Sequence, residues 1–447
     1  MKPPLDPQFQ PAVLANRNHR RNARVPLVIG LEREAGLLSR HESVVNPDAP
    51  DAFRYVERIV KFLLWSRGGW KVHFGGPRAL GEKLQACYST SGARAFDVEL
   101  MGRVYQKPCE ISLMDAADVP PECEAVVALG GHLDGCRIGF DLGASDYKVA
   151  AVDHGAVVYS EEFPWNPIDQ TDPQYHYDHL QGALKMAATH LPRVDAIGGS
   201  TAGVVVNNQI MVASLFRAVP ASQFDKARNI FHRLRDEWRI PLEVANDGDV
   251  TALAGSLSLK ANGLLGLAMG SSKAAGFIDP QGSMTGWLNE LAFAPTDYHP
   301  EAASDEWSGD RGVGALYFSQ QAVNRLLPAA GITVPREMGL PERLKEVQTL
   351  LAKDDPRAAK IYETIGVYLG YTIPHYADFY EFRHLLILGR VTTGEGGNLI
   401  VNEARKVLQS EFPELATKIA LHVPDETSRR VGQAVAAASL PALENKK

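Results

Sequence analysis

Asp141, Gly143, Ser145 and Lys148 put a carboxylate, a tight turn, a hydroxyl and an ammonium into one short run, Phe140-Asp-Leu-Gly-Ala-Ser-Asp-Tyr-Lys148. A Gly/Ser turn aims backbone N–H groups and a hydroxyl at one spot, and Asp141 beside it can hold a cation. The chemistry this suits is capture of a phosphate with its magnesium ion. The pattern has an echo at Gly270-Ser271-Ser272-Lys273, where an apolar run again meets a Gly/Ser turn and a lysine. Both copies then run through a short apolar stretch to an aspartate and a glycine turn, Asp153 to Gly155 and Asp279 to Gly282. Singly, each reads better as an ordinary hairpin with small residues at its bend. As a pair they point to an internally duplicated fold with one phosphate turn per lobe and nucleotide in the cleft between lobes.

Asn246 and Asp247 end an expected strand over 242–245, where open α/β sheets place their ligands. A carboxylate there can take the proton of a sugar hydroxyl as its oxygen attacks phosphorus. An Asx turn capping the next helix explains the same pair. Glu290 follows the second turn closely and is expected near the same cleft, unless it is a solvated strand-end acid. Gly394, Gly396 and Gly397 lie between an apolar strand over 385–388 and a helix. They suit close approach of backbone to a flat base or ribose, as would a Schellman-type loop. His176 and His179 could ligate a metal, although histidines in a polar segment are more often surface. Trp287, Phe293, Trp307, Tyr317 and Phe318 could floor a sugar pocket or pack in a core.

The elements that must position these groups are written in the apolar spacing. Helices are expected over 52–65, 178–191, 222–238, 251–259, 313–327, 342–352, 356–380, 398–408 and 428–440, and strands over 194–198, 242–245, 264–269 and 385–388. Residues 70–81 read as strand, glycine turn and helix from about Pro77, and 126–131 close this first region. The alternation argues for an α/β protein with two sheets. At 447 residues the chain exceeds one typical core.

Apolar content of 45% and charged content of 22% are ordinary for a globular protein, and a net charge of -7 argues against nucleic acid or an anionic membrane as partner. No run approaches the roughly 20 apolar residues that span a bilayer, and the first residues lack the apolar core of a signal peptide. Cys87, Cys109, Cys123 and Cys136 have no C-x-x-C spacing, so neither a disulfide framework nor a zinc site is indicated and a cytoplasmic location is the default. All four precede the first turn, which marks 1–131 as a separate N-terminal accessory domain of α+β type.

With these residues in place, 137 to about 442 resembles the sugar kinases of the ROK family (repressor, open reading frame, kinase), in the actin/hexokinase/Hsp70 superfamily. The family's D-[IL]-G-G-T-K motif is similar to Asp141-Leu-Gly-Ala-Ser-Asp146, and its N-D-A-N segment to Asn246-Asp-Gly-Asp249. Its G-T-G-x-G-G-G turn resembles 269–275, and its G-E-[IL]-G-H segment resembles Asn289-Glu-Leu-Ala-Phe293. Ser200-Thr201-Ala-Gly203 resembles the turn before the family's sugar loop. The resemblance implies a two-lobed actin-like, RNase H-like ATPase fold, with lobe I over 132–258 joined by a returning helix over 425–442, and lobe II over 259–424. It implies ATP and Mg2+ as cofactors, Asp247 as catalytic base, and Asn246, Glu290, Ser200 and Thr201 as sugar ligands. The nucleotide is expected on Asp141 (through Mg2+), Gly143, Ser145, Lys148, Gly270, Ser271, Ser272 and Lys273, with its adenosine at Gly394, Gly396 and Gly397. A homodimer is among the arrangements it implies.

The departures are specific. The family's zinc ligands would fall on Phe293, Glu306, Ser308 and Val313, none of the required type, so no zinc site is expected. Asp146 replaces a basic residue of the first turn, and the second turn is less Gly-rich and one residue longer. Residues 65–76 read as strand where the family's repressors need a recognition helix. The expected function is ATP-dependent phosphorylation of a sugar or polyol. A non-catalytic sugar or sugar-phosphate sensor on the same fold is the alternative, and a repressor is disfavoured.

Overall fold

A β-branched and apolar run near the amino terminus forms β1 (Val25–Glu32), and the more polar β2 (Leu38–Val45) pairs with it, joined by β3 (Lys71–Gly75) and β4 (Glu110–Met114) in the order β2-β1-β3-β4. β1 is antiparallel to β2 and β3, and β3 is parallel to β4. The computed structural model describes residues 1–124, 129–424 and 427–443, so part of the expected closing segment 126–131 lies outside the described residues. The helix Ala52–Arg67 is buried along nearly its whole length, Glu57, Arg58, Lys61 and Arg67 included. Buried charges persist only when paired. Here Arg58 bonds Glu57 (2.6 Å) and Asp310 (3.0 Å), Lys61 bonds Asp97 (2.7 Å) and Asp310 (3.1 Å), and Arg94 bonds Glu57 and Asp310, both at 2.6 Å.

Those pairings draw the amino-terminal residues and the segment around Asp310 into one body. The chain divides into two compact units, the first Met1–Ala125 with Leu267–Ala275 and Trp287–Val423, the second Val126–Gly266 with Gly276–Gly286 and Pro424–Lys447. Residues expected to form a free-standing domain over 1–131 therefore share a unit with the later chain. The physical reason is a helix too apolar to leave uncovered and charges whose partner, Asp310, is supplied from far along the sequence.

In the second unit, β5 (Cys136–Leu142), β6 (Asp146–Asp153) and β7 (Ala156–Pro164) form an antiparallel meander. β8 (Ala196–Thr201) lies parallel to β5 on its other side. A small ribbon, β9 (Val204–Val206) and β10 (Gln209–Val212), precedes β11 (Leu242–Asn246), which lies parallel to β8, giving the order β11-β8-β5-β6-β7. The carboxy-terminal helix Thr427–Ala438 lies directly on this sheet. It can do so because a Cβ at Gly139 would sit 1.8 Å from the Ala434 carbonyl oxygen, and one at Gly198 1.7 Å from that of Ala437.

A further sheet has the order β13-β12-β14-β15, from β12 (Leu264–Met269), β13 (Lys273–Ile278), β14 (His384–Leu388) and β15 (Ala420–His422). Its plan repeats that of the second unit. In each, a hairpin comes first and later strands add beside the hairpin's first strand: β8 and β11 beside β5, β14 and β15 beside β12. This is the duplicated α/β topology that the paired turns foretold.

Two expected helices are interrupted. Residues 222–238 break at Asn229, whose side-chain amide bonds the Asp225 carbonyl and so competes with the helix ladder. Residues 313–327 begin as a 3-10 turn, Gly314–Leu316, and restart at Gln320–Leu326 because Ser319 caps that helix through the Gln321 N–H. Among the described residues no helix is long and apolar enough to cross a membrane.

Candidate functional site

Strand register assembles the first group of residues. On β5, Asp141 stands opposite Lys148 of β6 on one side and Ser200 of β8 on the other, and in the next row Thr201 stands opposite Asn246 of β11. All lie toward the carboxyl ends of the parallel strands. Asp141 is buried, and burial pushes its carboxyl pKa up, against the Ser200 hydroxyl and Lys148, which pull it down. Ser200 and Thr201 are wholly buried, and the Ser200 hydroxyl, which faces Asp141 across the strand pair, has no hydrogen-bond partner among the described residues.

The turn after Asp141 closes by Gly143 N–H donating to the Asp146 carbonyl at 2.9 Å, and the second turn closes likewise, Gly270 N–H to the Ser272 carbonyl at 2.9 Å. Trp165 braces the first turn from outside: its indole N–H donates to the Gly143 carbonyl (2.9 Å) and its backbone N–H to that of Ser145 (3.2 Å). No sequence signal marked Trp165, which is remote in the chain. The extra acid of this turn is already engaged, because Asp146 accepts from the Ser145 hydroxyl (3.0 Å) and from Lys148 (3.2 Å). Both groups expected to meet phosphate are thereby partly engaged, and the Lys148 charge is partly neutralised.

Asn246 and Asp247 divide the roles that sequence left open. Asn246 is the cap: its side-chain oxygen accepts from Gly248 N–H (2.7 Å) and its amide donates to the Gly203 carbonyl (2.7 Å). Asp247 opens the helix Asp247–Leu259, four residues before the expected start at 251, and its side chain is half-buried. Desolvation first, and the Asp141 carboxylate second, push Asp247 up to about 7. A helix amino terminus favours a charged carboxylate; here desolvation and the like charge win. An acid near 7 and partly open to solvent can take up or release a proton at neutral pH.

The second group belongs to the first unit. Gly270, Ser271 and Ser272 form a turn with exposed serines. Lys273 departs from its expected place. It is buried, donates to the Tyr376 phenol oxygen, and lies over the rings of Phe318 (4.9 Å) and Tyr376 (4.7 Å). Burial pushes its pKa far down, and its ammonium points inward instead of to the turn's outer face. Glu290 is half-buried, one residue after Asn289 in left-handed conformation (φ 52°).

Of the three later glycines only Gly394, with φ 67°, is open to a ligand. Gly396 and Gly397 are small because the Tyr362 ring and the Thr392 carbonyl leave no room for a Cβ. Beside Gly394, an open depression of about 480 Å³ is lined by Lys345, Gln348, Arg390 and Thr393, residues that no motif pointed to.

The positions of the absent zinc motif make other contacts. Phe293 packs on Trp65 at 4.4 Å, Ser308 bonds Asp305 at 2.7 Å, and Val313 is buried. His176 is buried, bonded to the Leu215 carbonyl at 3.0 Å, and His179 bonds the Tyr175 carbonyl at 2.8 Å. The five aromatics do not share one floor: Tyr317 and Phe318 are core, Trp307 is 77% exposed, and Trp287 stacks on Arg67.

No protein-family model and no curated protein matches the sequence. Solved structures match in fold. The ROK hexokinase from Thermus thermophilus aligns with a TM-score of 0.53 at 17% identity, covering 68% of this chain and 97% of that one. A ROK family transcriptional regulator, homolog of the E. coli MLC protein, aligns at 0.55 and 18%, covering 69% and 79%. A ROK family protein from Streptococcus pneumoniae TIGR4 in complex with sucrose aligns at 0.50 and 11%, covering 67% and 96%. Over about two thirds of its length the chain has the actin-like α/β fold of ROK proteins, a fold that serves both a hexokinase and a transcriptional regulator.

Proposed function

We propose that the protein transfers the γ-phosphoryl group of ATP to a hydroxyl of a sugar or polyol, with Asp247 as general base. The observation that carries this reading is the placement of Asp247, half-buried directly after the carboxyl end of a parallel strand, where desolvation and the Asp141 charge push its pKa up to about 7. A base is most effective when its pKa lies near the working pH. In this reading Asp141 would hold the magnesium ion of ATP and the turn at Gly143–Ser145 would meet its phosphates; the turn at Gly270–Ser272 is the matching phosphate turn of the first unit. Adenosine lies by Gly394 and the depression lined by Gln348, Arg390 and Thr393. Bound Mg2+ would neutralise charge on the phosphates and relieve the repulsion between Asp141 and Asp247. Asn246, Glu290, Ser200 and Thr201 are sugar-side residues in this reading, Asn246 acting through the Gly203 and Gly248 backbone that it holds.

The second reading, a sugar or sugar-phosphate sensor, is favoured by Asp146, which engages Ser145 and Lys148, and by the inward Lys273. ATP consumption against a panel of sugars and polyols separates the two. Turnover that falls by about 10²–10⁴ in Asp247→Asn, with sugar binding retained, supports the kinase. Stabilisation of the protein by a sugar that neither form phosphorylates supports the sensor.

A further inference from the structure

Far from these residues in the sequence, the first unit encloses a polar cavity of about 100 Å³ between β1, β2, the end of the helix Ala52–Arg67 and the segment after the helix Pro356–Ala377. Arg67 lines it and is more than nine-tenths buried, at 8% exposure. The faces of its guanidinium are covered by Trp287 (3.2 Å) and Tyr380 (4.8 Å), and one edge donates to the Phe379 carbonyl. Its Nη1 is buried with no hydrogen-bond partner among the described residues. A buried, unanswered donor on a cation is expensive, and the natural remedy is an anion.

The surroundings agree. Arg40 and His41 also line the cavity, and Asp378 is its one carboxylate. Asp378 is already taken by Arg17 (3.5 Å) and Arg20 (2.7 Å), and Arg40 is matched by Glu42 (3.0 Å). Of the two arginines that line the cavity, Arg40 therefore has its own carboxylate, and no carboxylate among the described residues is bonded to Arg67. Two further acids act on the Arg67 charge, Glu124, which is matched by Arg33, and the exposed Glu122. Burial pushes His41 down to about 4, so it is neutral at pH 7 and offers hydrogen bonding without added charge.

We infer that this cavity binds a phosphate group, with Arg67 as its principal ligand and Arg40 and His41 beside it. A phosphate oxygen would accept from the unpartnered Arg67 Nη1, and the group is small enough for a space of about 100 Å³. The site is separate from the candidate phosphate turns, and the inference does not rest on the kinase reading. The phosphate could be the free ion or the phosphoryl group of a small metabolite, and the test distinguishes them.

Isothermal titration of the full chain with inorganic phosphate, and separately with glucose 6-phosphate, at constant ionic strength, should show one saturable site below about 10 mM. Arg67→Met should weaken it about tenfold or more, since it removes the charged donor. Lys148→Met, which alters the first candidate phosphate turn, should leave it unchanged. Saturation by inorganic phosphate identifies the free ion; saturation by glucose 6-phosphate alone identifies a phosphorylated metabolite. If Arg67→Met fails to fold by circular dichroism, Leu63→Phe decides, because it fills the cavity and keeps every arginine; loss of binding then supports the site. Absence of saturation with both probes overturns the inference. So does binding that survives in folded Arg67→Met or, where that variant does not fold, in Leu63→Phe, and binding that is lost in Lys148→Met instead.

Discussion

Replacing Asp247 by asparagine should change how stability depends on pH, with a sign that separates the readings of this residue. In the unfolded chain the carboxyl loses its proton near the usual value, 3.8, whereas in the folded protein it does so near 7. Between those values the native state binds the extra proton, so stability falls as pH rises from about 4 to about 7 and stays low above. That difference corresponds to an upper bound of about 4 kcal/mol, and because the side chain is half open to water we expect about 1–2 kcal/mol. The substituted amide carries no titrating proton and feels no repulsion from Asp141. The variant should therefore gain about 1–2 kcal/mol over the parent at about pH 8 and much less at about pH 5. Urea denaturation at the two pH values, followed by fluorescence and circular dichroism, measures it. The helix cap is Asn246, so the substitution removes no cap. If Asp247 instead stabilised the helix amino terminus, its pKa would be depressed and the parent would gain stability with rising pH. A variant less stable than the parent at pH 8, or identical pH dependence in both, refutes the reasoning.

Other outcomes follow from the same geometry. Asp310→Ala leaves Arg58, Lys61 and Arg94 short of a buried partner and should destabilise the protein by about 3–5 kcal/mol; a loss below about 1 kcal/mol in denaturant would contradict the pairing described. Gly198→Val forces a side chain into the Ala437 carbonyl and should lift the carboxy-terminal helix from its sheet, seen as faster proteolysis near the carboxyl terminus; unchanged protection would count against that packing. Asp146→Thr frees Ser145 and Lys148 and should tighten nucleotide binding, read by ATP titration; weaker binding would show that Asp146 helps hold the metal. Protein purified without added metal should contain well under one zinc per chain by elemental analysis, since Phe293 and Val313 cannot ligate it.

The local chemistry of this protein is legible in its sequence wherever neighbours in the chain are also neighbours in space. The Gly/Ser turns at 143–145 and 270–272, the acid at the end of β11 and the duplicated hairpins are short-range patterns, and they reappear with their expected types. The helix over 52–65 was equally plain from its apolar spacing. What only the tertiary structure decided are the partners that arrive from afar. Asn246 and Asp247 are adjacent and look alike in sequence, yet one is a cap and the other a raised acid, because Gly203 and Asp141 are brought to them by different parts of the chain. Lys148 and Lys273 occupy matching places in sequence, but Tyr376 draws the second inward. Gly396 and Gly397 looked ready for a ligand, and the Tyr362 ring and the Thr392 carbonyl claimed them for packing. The amino-terminal region looked separate because its composition differs, while the charges on its central helix find their answer in Asp310. Periodicity reports which face of an element is apolar; it carries no information on which distant residue will cover that face or neutralise a charge buried with it.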